Sequence, residues 1–212
     1  HLGAHKTAST YLQSLLETNI VPLERHQIGF ACPKTLRPMF GIAPRRKFCT
    51  ARAARTDARA WGIRRVIDTA HDLQRKRLII SEEQLLGSLR QLFSGKGLYR
   101  EIASELSGVA SALQGQPVTV MMALRSYDTF LISAYGQVLT GWKYIRFTQD
   151  LRNYLLNQSH GWPEIVTEIM QALPKGSTLK LWQYERFRSA EQDVLGAFLD
   201  EDVIDELRPL HK

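Results

Sequence analysis

The chain has 212 residues, 44 % of them hydrophobic and 23 % charged, which is ordinary for a soluble globular protein with one substantial core. It has no run of about 18 apolar residues, so no segment reads as a membrane-spanning helix. The net charge of +7 favours anionic ligands. Two cysteines, Cys32 and Cys49, are too few for a disulfide framework, so reduced thiols and a cytoplasmic location are expected.

The first ten residues are His1-Leu2-Gly3-Ala4-His5-Lys6-Thr7-Ala8-Ser9-Thr10. They read as a glycine turn entering a helix over 8–18, with Tyr11, Leu12, Leu15 and Leu16 on one face. The unpaired amides and the dipole at a helix N-terminus attract anions. Lys6 adds a full positive charge, and Thr7, Ser9 and Thr10 add hydroxyls. Gly3 lets the backbone turn tightly. The nucleoside-triphosphate loop, G-x-x-x-x-G-K-[ST], carries a glycine directly before its lysine. Here His5 holds that place, and the small residues follow Lys6. A parallel strand is expected to feed such a loop, which would place further residues, and any targeting segment, ahead of His1.

Ile28-Gly29-Phe30-Ala31 reads as a short strand. Residues 32–50, punctuated by Pro33, Pro38, Gly41 and Pro44, read as irregular. A helix is expected over 57–75, a buried strand at Leu78-Ile79-Ile80, and a helix over 97–114. After the turn Gly115-Gln116-Pro117, residues 118–124 form the clearest buried strand. Helices follow over 127–140, 148–158 and 162–173, the last one stopped by Pro174-Lys175-Gly176. A strand at 179–182 and a helix over 189–199 complete the pattern. Alternating strands and helices imply a single α/β domain over 1–212, with helices covering both faces of a central parallel sheet.

From Lys34 to Arg65 ten basic residues stand against the single acid Asp57: Lys34, Arg37, Arg45, Arg46, Lys47, Arg52, Arg55, Arg59, Arg64 and Arg65. Such a stripe suits a polyanion or an anionic acceptor, or serves solubility alone. Aromatic interleaving is thin and no nucleic-acid signature is present, so no nucleic-acid partner is expected. The six histidines are scattered, and no cysteine–histidine cluster has zinc spacing.

Ligands of open parallel sheets bind at the carboxyl ends of the strands. Those ends carry the Lys6 loop, Ser81-Glu82-Glu83, Arg125, and Gln183-Tyr184-Glu185-Arg186. Ser133 follows Arg125 by about two helical turns, and a guanidinium with a hydroxyl makes a clamp for a phosphate dianion. Glu185 and Arg186 read as a local ion pair.

The opening loop resembles the 5′-phosphosulfate loop of sulfotransferases that use 3′-phosphoadenosine 5′-phosphosulfate (PAPS), G-x-x-K-[TS]-[GA]-[ST]-T, with Ala8 where glycine is commoner. The Arg125…Ser133 unit resembles their 3′-phosphate motif, with Ser126-Tyr127 in place of Asn-Pro. Ile80-Ser81-Glu82-Glu83 and Tyr184-Glu185-Arg186 extend the similarity to bacterial sulfotransferase-like families, whereas 31–60 matches no pattern and reads as a basic insertion. The resemblance implies a three-layer α/β/α domain like that of the P-loop nucleoside triphosphate hydrolases. It also implies PAPS as donor and transfer of a sulfuryl group to a hydroxyl or amine of a glycan, lipid or small molecule. Gly3, Ala4, His5, Lys6, Thr7, Ala8, Ser9, Thr10, Arg125 and Ser133 would hold the donor, and Lys6 would stabilise the leaving phosphate. No metal is expected, because Lys6 can meet the charge and no carboxylate pair for magnesium is evident. Glu82 is the first choice of general base, with Glu83, His71 and His5 as alternatives. Ser81 followed by two acids is also an ordinary helix start. Two other readings stand beside this one: a P-loop kinase, and a non-catalytic descendant that binds nucleotide or a polyanion.

Overall fold

The computed structural model describes residues 1–42, 50–141 and 145–210. Arg45, Arg46, Lys47, Cys49 and His211 lie outside the described residues. In chain order the elements are α1 (Ser9–Thr18), α2 (Ile20–Arg25), β1 (Ile28–Ala31), α3 (Pro33–Ile42), α4 (Ala51–Asp72) and β2 (Arg77–Ile80). A 3₁₀ turn (Glu83–Leu86), α5 (Leu89–Phe93), α6 (Ile102–Leu113), β3 (Thr119–Leu124) and α7 (Tyr127–Gly141) follow. The remainder is α8 (Gln149–Leu156), α9 (Trp162–Ala172), β4 (Thr178–Gln183), a second 3₁₀ turn (Tyr184–Arg186), α10 (Glu191–Phe198) and α11 (Glu201–Asp205).

The protein is α/β with parallel strand pairing. β1 pairs with β2 from Ile28↔Arg77 to Ala31↔Ile80. β3 pairs with β4 from Thr119↔Thr178 to Leu124↔Gln183. Among the described residues the strands form two two-stranded sheets rather than the expected single one. Residues 1 and 2 join them: the His1 amine donates to Ile80 O at 2.6 Å, Glu82 N donates to His1 O at 3.2 Å, and Leu2 N donates to Met121 O at 3.1 Å. That is the slanted bonding of a parallel ladder. Behind these two residues the facing sides of β2 and β3 border a cavity of about 590 Å³, lined also by Leu113, Leu173 and Phe198.

Alternate residues of β3 serve two cores, as the period-2 geometry of a strand covered on both faces requires. Val120 and Met122 join a cluster with Ile102 and Leu106 of α6, Phe130 and Ala134 of α7, and Ile165 and Ile169 of α9. Met121 points to the other side, with Leu12, Leu15 and Leu16 of α1 and Val194, Leu195 and Phe198 of α10.

Residues 32–50 are not irregular throughout. α3 forms with Pro38 inside it because Pro33 occupies its first position, where proline suits a helix. Leu36, fully buried, anchors it against Ala31 and Val66. α4 starts at 51 rather than 57: Thr50 caps it, its hydroxyl accepting from Ala53 N at 3.2 Å. The helix expected over 97–114 begins only at Ile102, and α2, α5 and α11 are short helices that the periodicity did not show. Among the described residues no helix is long and apolar enough to cross a membrane. Cys32 is a buried free thiol.

Candidate functional site

A cavity of about 370 Å³ is lined by His5, Lys6, Thr7, Ala8, Ser9, Thr10, Glu83, Arg125, Ser133, Gln137 and Tyr184. It lies where β2, β3 and β4 end: Glu83, Arg125 and Tyr184 each follow within three residues of a strand terminus. Parallel pairing brings these ends to the edge where residues 1 and 2 lead into the loop.

The loop's backbone is wound by two left-handed residues, Lys6 at φ 66 and Ala8 at φ 62. Ala8 is the N-cap of α1 and supplies no side-chain cap. Among the described residues no group of the chain accepts a hydrogen bond from the amides of residues 6 to 10. They form a run of unpaired donors at a helix N-terminus, an anion-binding concavity. The Ser9 hydroxyl is buried and also lacks a partner, which is costly unless a ligand satisfies it. Gly3, at φ 40, and Ala4 shape the loop without lining the cavity. A β-carbon on Gly3 would collide with the Ser9 hydroxyl. The Thr7 hydroxyl is not a free donor, since it donates to Ala4 O. The His5 amide is engaged as well, donating to the Tyr99 hydroxyl at 3.0 Å.

Arg125 fastens the loop to the strand end. Its Nη1 donates to Lys6 O at 2.7 Å and its Nε to Thr129 Oγ1 at 3.1 Å. Its guanidinium carbon sits 4.4 Å from the centre of the Tyr184 ring, a cation–π contact. Trp162 Nε1 donates to Arg125 O at 2.8 Å and steadies the strand exit. Ser133 lines the cavity from α7. Gln137, one turn further on the same face, lines it too; that spacing would have identified it.

The two acids after β2 part company. Glu82 is fully buried and does not line the cavity. Its carboxylate accepts from Arg37 Nε at 2.9 Å, Arg37 Nη2 at 2.8 Å and Gln84 N at 3.0 Å. The last of these bonds makes Glu82, not Ser81, the cap of the turn that follows. Glu83 does line the cavity, its carboxylate accepting from Gln13 Nε2 at 3.1 Å and Arg37 Nη2 at 2.9 Å. Burial pushes the Glu83 carboxyl up, but a backbone amide, Gln13 and Arg37 outweigh it and hold the group below the usual carboxylate range. His71, exposed at the end of α4, is absent from the cavity. Glu185 forms no pair with Arg186 among the described residues; its Oε1 accepts from Ser126 N and Oγ, both at 2.9 Å.

The basic stripe is largely spoken for. Lys34 pairs with Glu17 and Arg37 with Glu82 and Glu83. Arg52 pairs with Glu101, and Arg55 and Arg59 converge on Glu105. Arg64 donates to Ser111 O at 3.4 Å, and Arg65 lies over the Trp61 ring. Every described cation of the stripe therefore has a partner within the chain.

Comparison with protein-family models, with curated proteins and with solved structures gives no match.

Proposed function

We propose that the chain is a PAPS-dependent sulfotransferase built on a three-layer domain of the P-loop type. One observation carries the reading: the 5–10 loop and the Arg125…Ser133 unit, far apart in sequence, line one cavity. The residues present fit the donor. The free amides of residues 6 to 10, the unpartnered Ser9 hydroxyl and the Lys6 ammonium suit a 5′-phosphosulfate. Arg125 and Ser133 suit a 3′-phosphate.

When bound, the donor supplies a sulfuryl group for transfer to an acceptor hydroxyl or amine. Lys6 offers the charge that neutralises developing negative charge at phosphate oxygens, and the preset amides need no reorganisation to assist it. Glu83, rather than Glu82, is the carboxylate in reach of a cavity-bound acceptor. Its lowered pKa keeps it ionised, the form able to take a proton. Glu82 and Arg37 act from behind, holding Glu83 in place.

The test is titration with 3′,5′-bisphosphoadenosine and with adenosine 5′-phosphate. The proposal predicts that the bisphosphate binds more tightly and that Arg125→Ala erases the difference. Equal affinities in the unaltered protein would remove the 3′-phosphate role from Arg125 and Ser133.

A further inference from the structure

Tyr99 was not among the residues that the sequence singled out, yet it contacts the loop directly. It lies between α5 and α6 and is only 1 % exposed. The neighbouring Leu98 is pinned by His160, whose Nδ1 lies 3.0 Å from Leu98 O. The Tyr99 hydroxyl oxygen sits 3.0 Å from the His5 amide nitrogen and 2.7 Å from His5 Nδ1. These two distances decide a proton position.

A phenol carries one proton. The His5 amide can only donate, so the hydroxyl accepts there. If Nδ1 also donated, the phenolic proton would be a buried donor with no acceptor among the described residues, a costly arrangement. If Nδ1 accepts, all three groups are satisfied. The imidazole proton then rests on Nε2, which makes no hydrogen bond to the described residues. The charged groups facing this ring are Glu83 from the turn after β2, Arg37 from α3 and Lys6 from the loop. Burial pushes the imidazole down to about 4, opposed by Glu83 and reinforced by Arg37 and Lys6. The ring is therefore neutral at physiological pH, with a fixed N–H.

We infer that Tyr99 is a positioning residue that locks His5 as the Nε2–H tautomer, and that His5 offers this N–H to an oxyanion held beside Lys6. The donor role rests on the phosphosulfate reading of the cavity; the tautomer rests on the hydrogen bonds alone. With its Nδ1 lone pair engaged by Tyr99 and its proton on Nε2, the neutral ring has no free site to take a proton, which takes His5 off the list of general bases and leaves Glu83.

The experiment is long-range ¹H–¹⁵N NMR of the His5 ring between pH 5.5 and 8, alone and saturated with 3′,5′-bisphosphoadenosine. The free protein should show an unprotonated Nδ1, a protonated Nε2 and no titration across the range. Saturation should move the Nε2 proton downfield. Tyr99→Phe keeps the ring that packs against Trp162 but removes the hydroxyl. It should yield a mixture of tautomers and about tenfold weaker bisphosphate binding, the size of one lost hydrogen bond. An Nδ1–H tautomer or an imidazolium in the unaltered protein at pH 7 overturns the inference. An Nε2 proton unmoved at saturation overturns the donor role. Failure of the bisphosphate to bind counts against the phosphosulfate reading and takes the donor role with it, while the free protein's spectrum still decides the tautomer, whether or not the variant folds.

Discussion

At the scale of single residues, the loop trades strain for unpaired donors. Ala8 sits in the left-handed region at φ 62, ψ 19, where a β-carbon costs about 1–2 kcal/mol. Glycine is free of that cost but loses more backbone entropy on folding, so Ala8→Gly should raise the unfolding free energy by about 0.5–1 kcal/mol in urea titrations. A lower value would mean that the left-handed cap is not maintained. Gly3→Ala should destabilise through its collision with Ser9. His5 sets a pH dependence. Its folded pKa of about 4 lies below the unfolded value of 6.5, so the unfolded chain binds the extra proton between those limits. Stability should rise as pH climbs from 4 to 6.5 and level off, as far as His5 contributes. His5→Phe should flatten this part of the urea-midpoint profile; an unchanged slope would contradict the burial argument. That Lys6, Ser9, Arg125 and Ser133 would share one cavity was legible in the sequence, because charge and hydroxyl recur there at intervals set by a helix N-terminus and a helix turn. The choice between Glu82 and Glu83 was not. Arg37 meets both carboxylates across some 45 residues of chain, and only the fold buries Glu82 while it leaves Glu83 on the cavity wall.

At the scale of elements, the described arginines between 34 and 65 act as struts. Glu105 of α6 is 4 % exposed and receives both Arg55 and Arg59 from α4; Arg59 also donates to Gln84 O at 2.8 Å. Removing one partner of a buried pair leaves an uncompensated charge, so Glu105→Ala should cost about 3–5 kcal/mol by urea denaturation. Lys34→Ala, which breaks an exposed pair with Glu17, should leave the midpoint unchanged. Comparable losses in the two variants would contradict the strut account. Composition marked this stretch as basic but could not show where its charges go, since the glutamates that meet most of the described ones lie on α1, after β2, and at the cap and inside of α6. Long periodic helices and apolar strands were readable. Helices of five or six residues, such as α2 and α5, span less than two turns and leave no periodicity. α3 was hidden because Pro33 and Pro38 look like breakers unless the first is known to sit at a helix start.

At the scale of the whole molecule, parallel pairing does the positioning. β2, β3 and β4 deliver Glu83, Arg125 and Tyr184 to the edge where the loop of α1 opens, and α7 adds Ser133 and Gln137. The alternation of strands and helices made that edge predictable. The division into two strand pairs was not, because β2 and β3 are bridged by the hydrogen bonds of residues 1 and 2 and not by a strand that the pattern marks. The central claim is that this edge holds a 3′,5′-phosphorylated adenosine nucleotide through backbone amides, Lys6 and Arg125. The most direct test is calorimetric titration of the protein with 3′,5′-bisphosphoadenosine in a metal chelator, beside ATP with magnesium. The account predicts micromolar binding of the bisphosphate without metal, a loss of at least tenfold in Lys6→Ala, and little heat from ATP. Binding of ATP with magnesium and none of the bisphosphate would contradict it and put a kinase in its place.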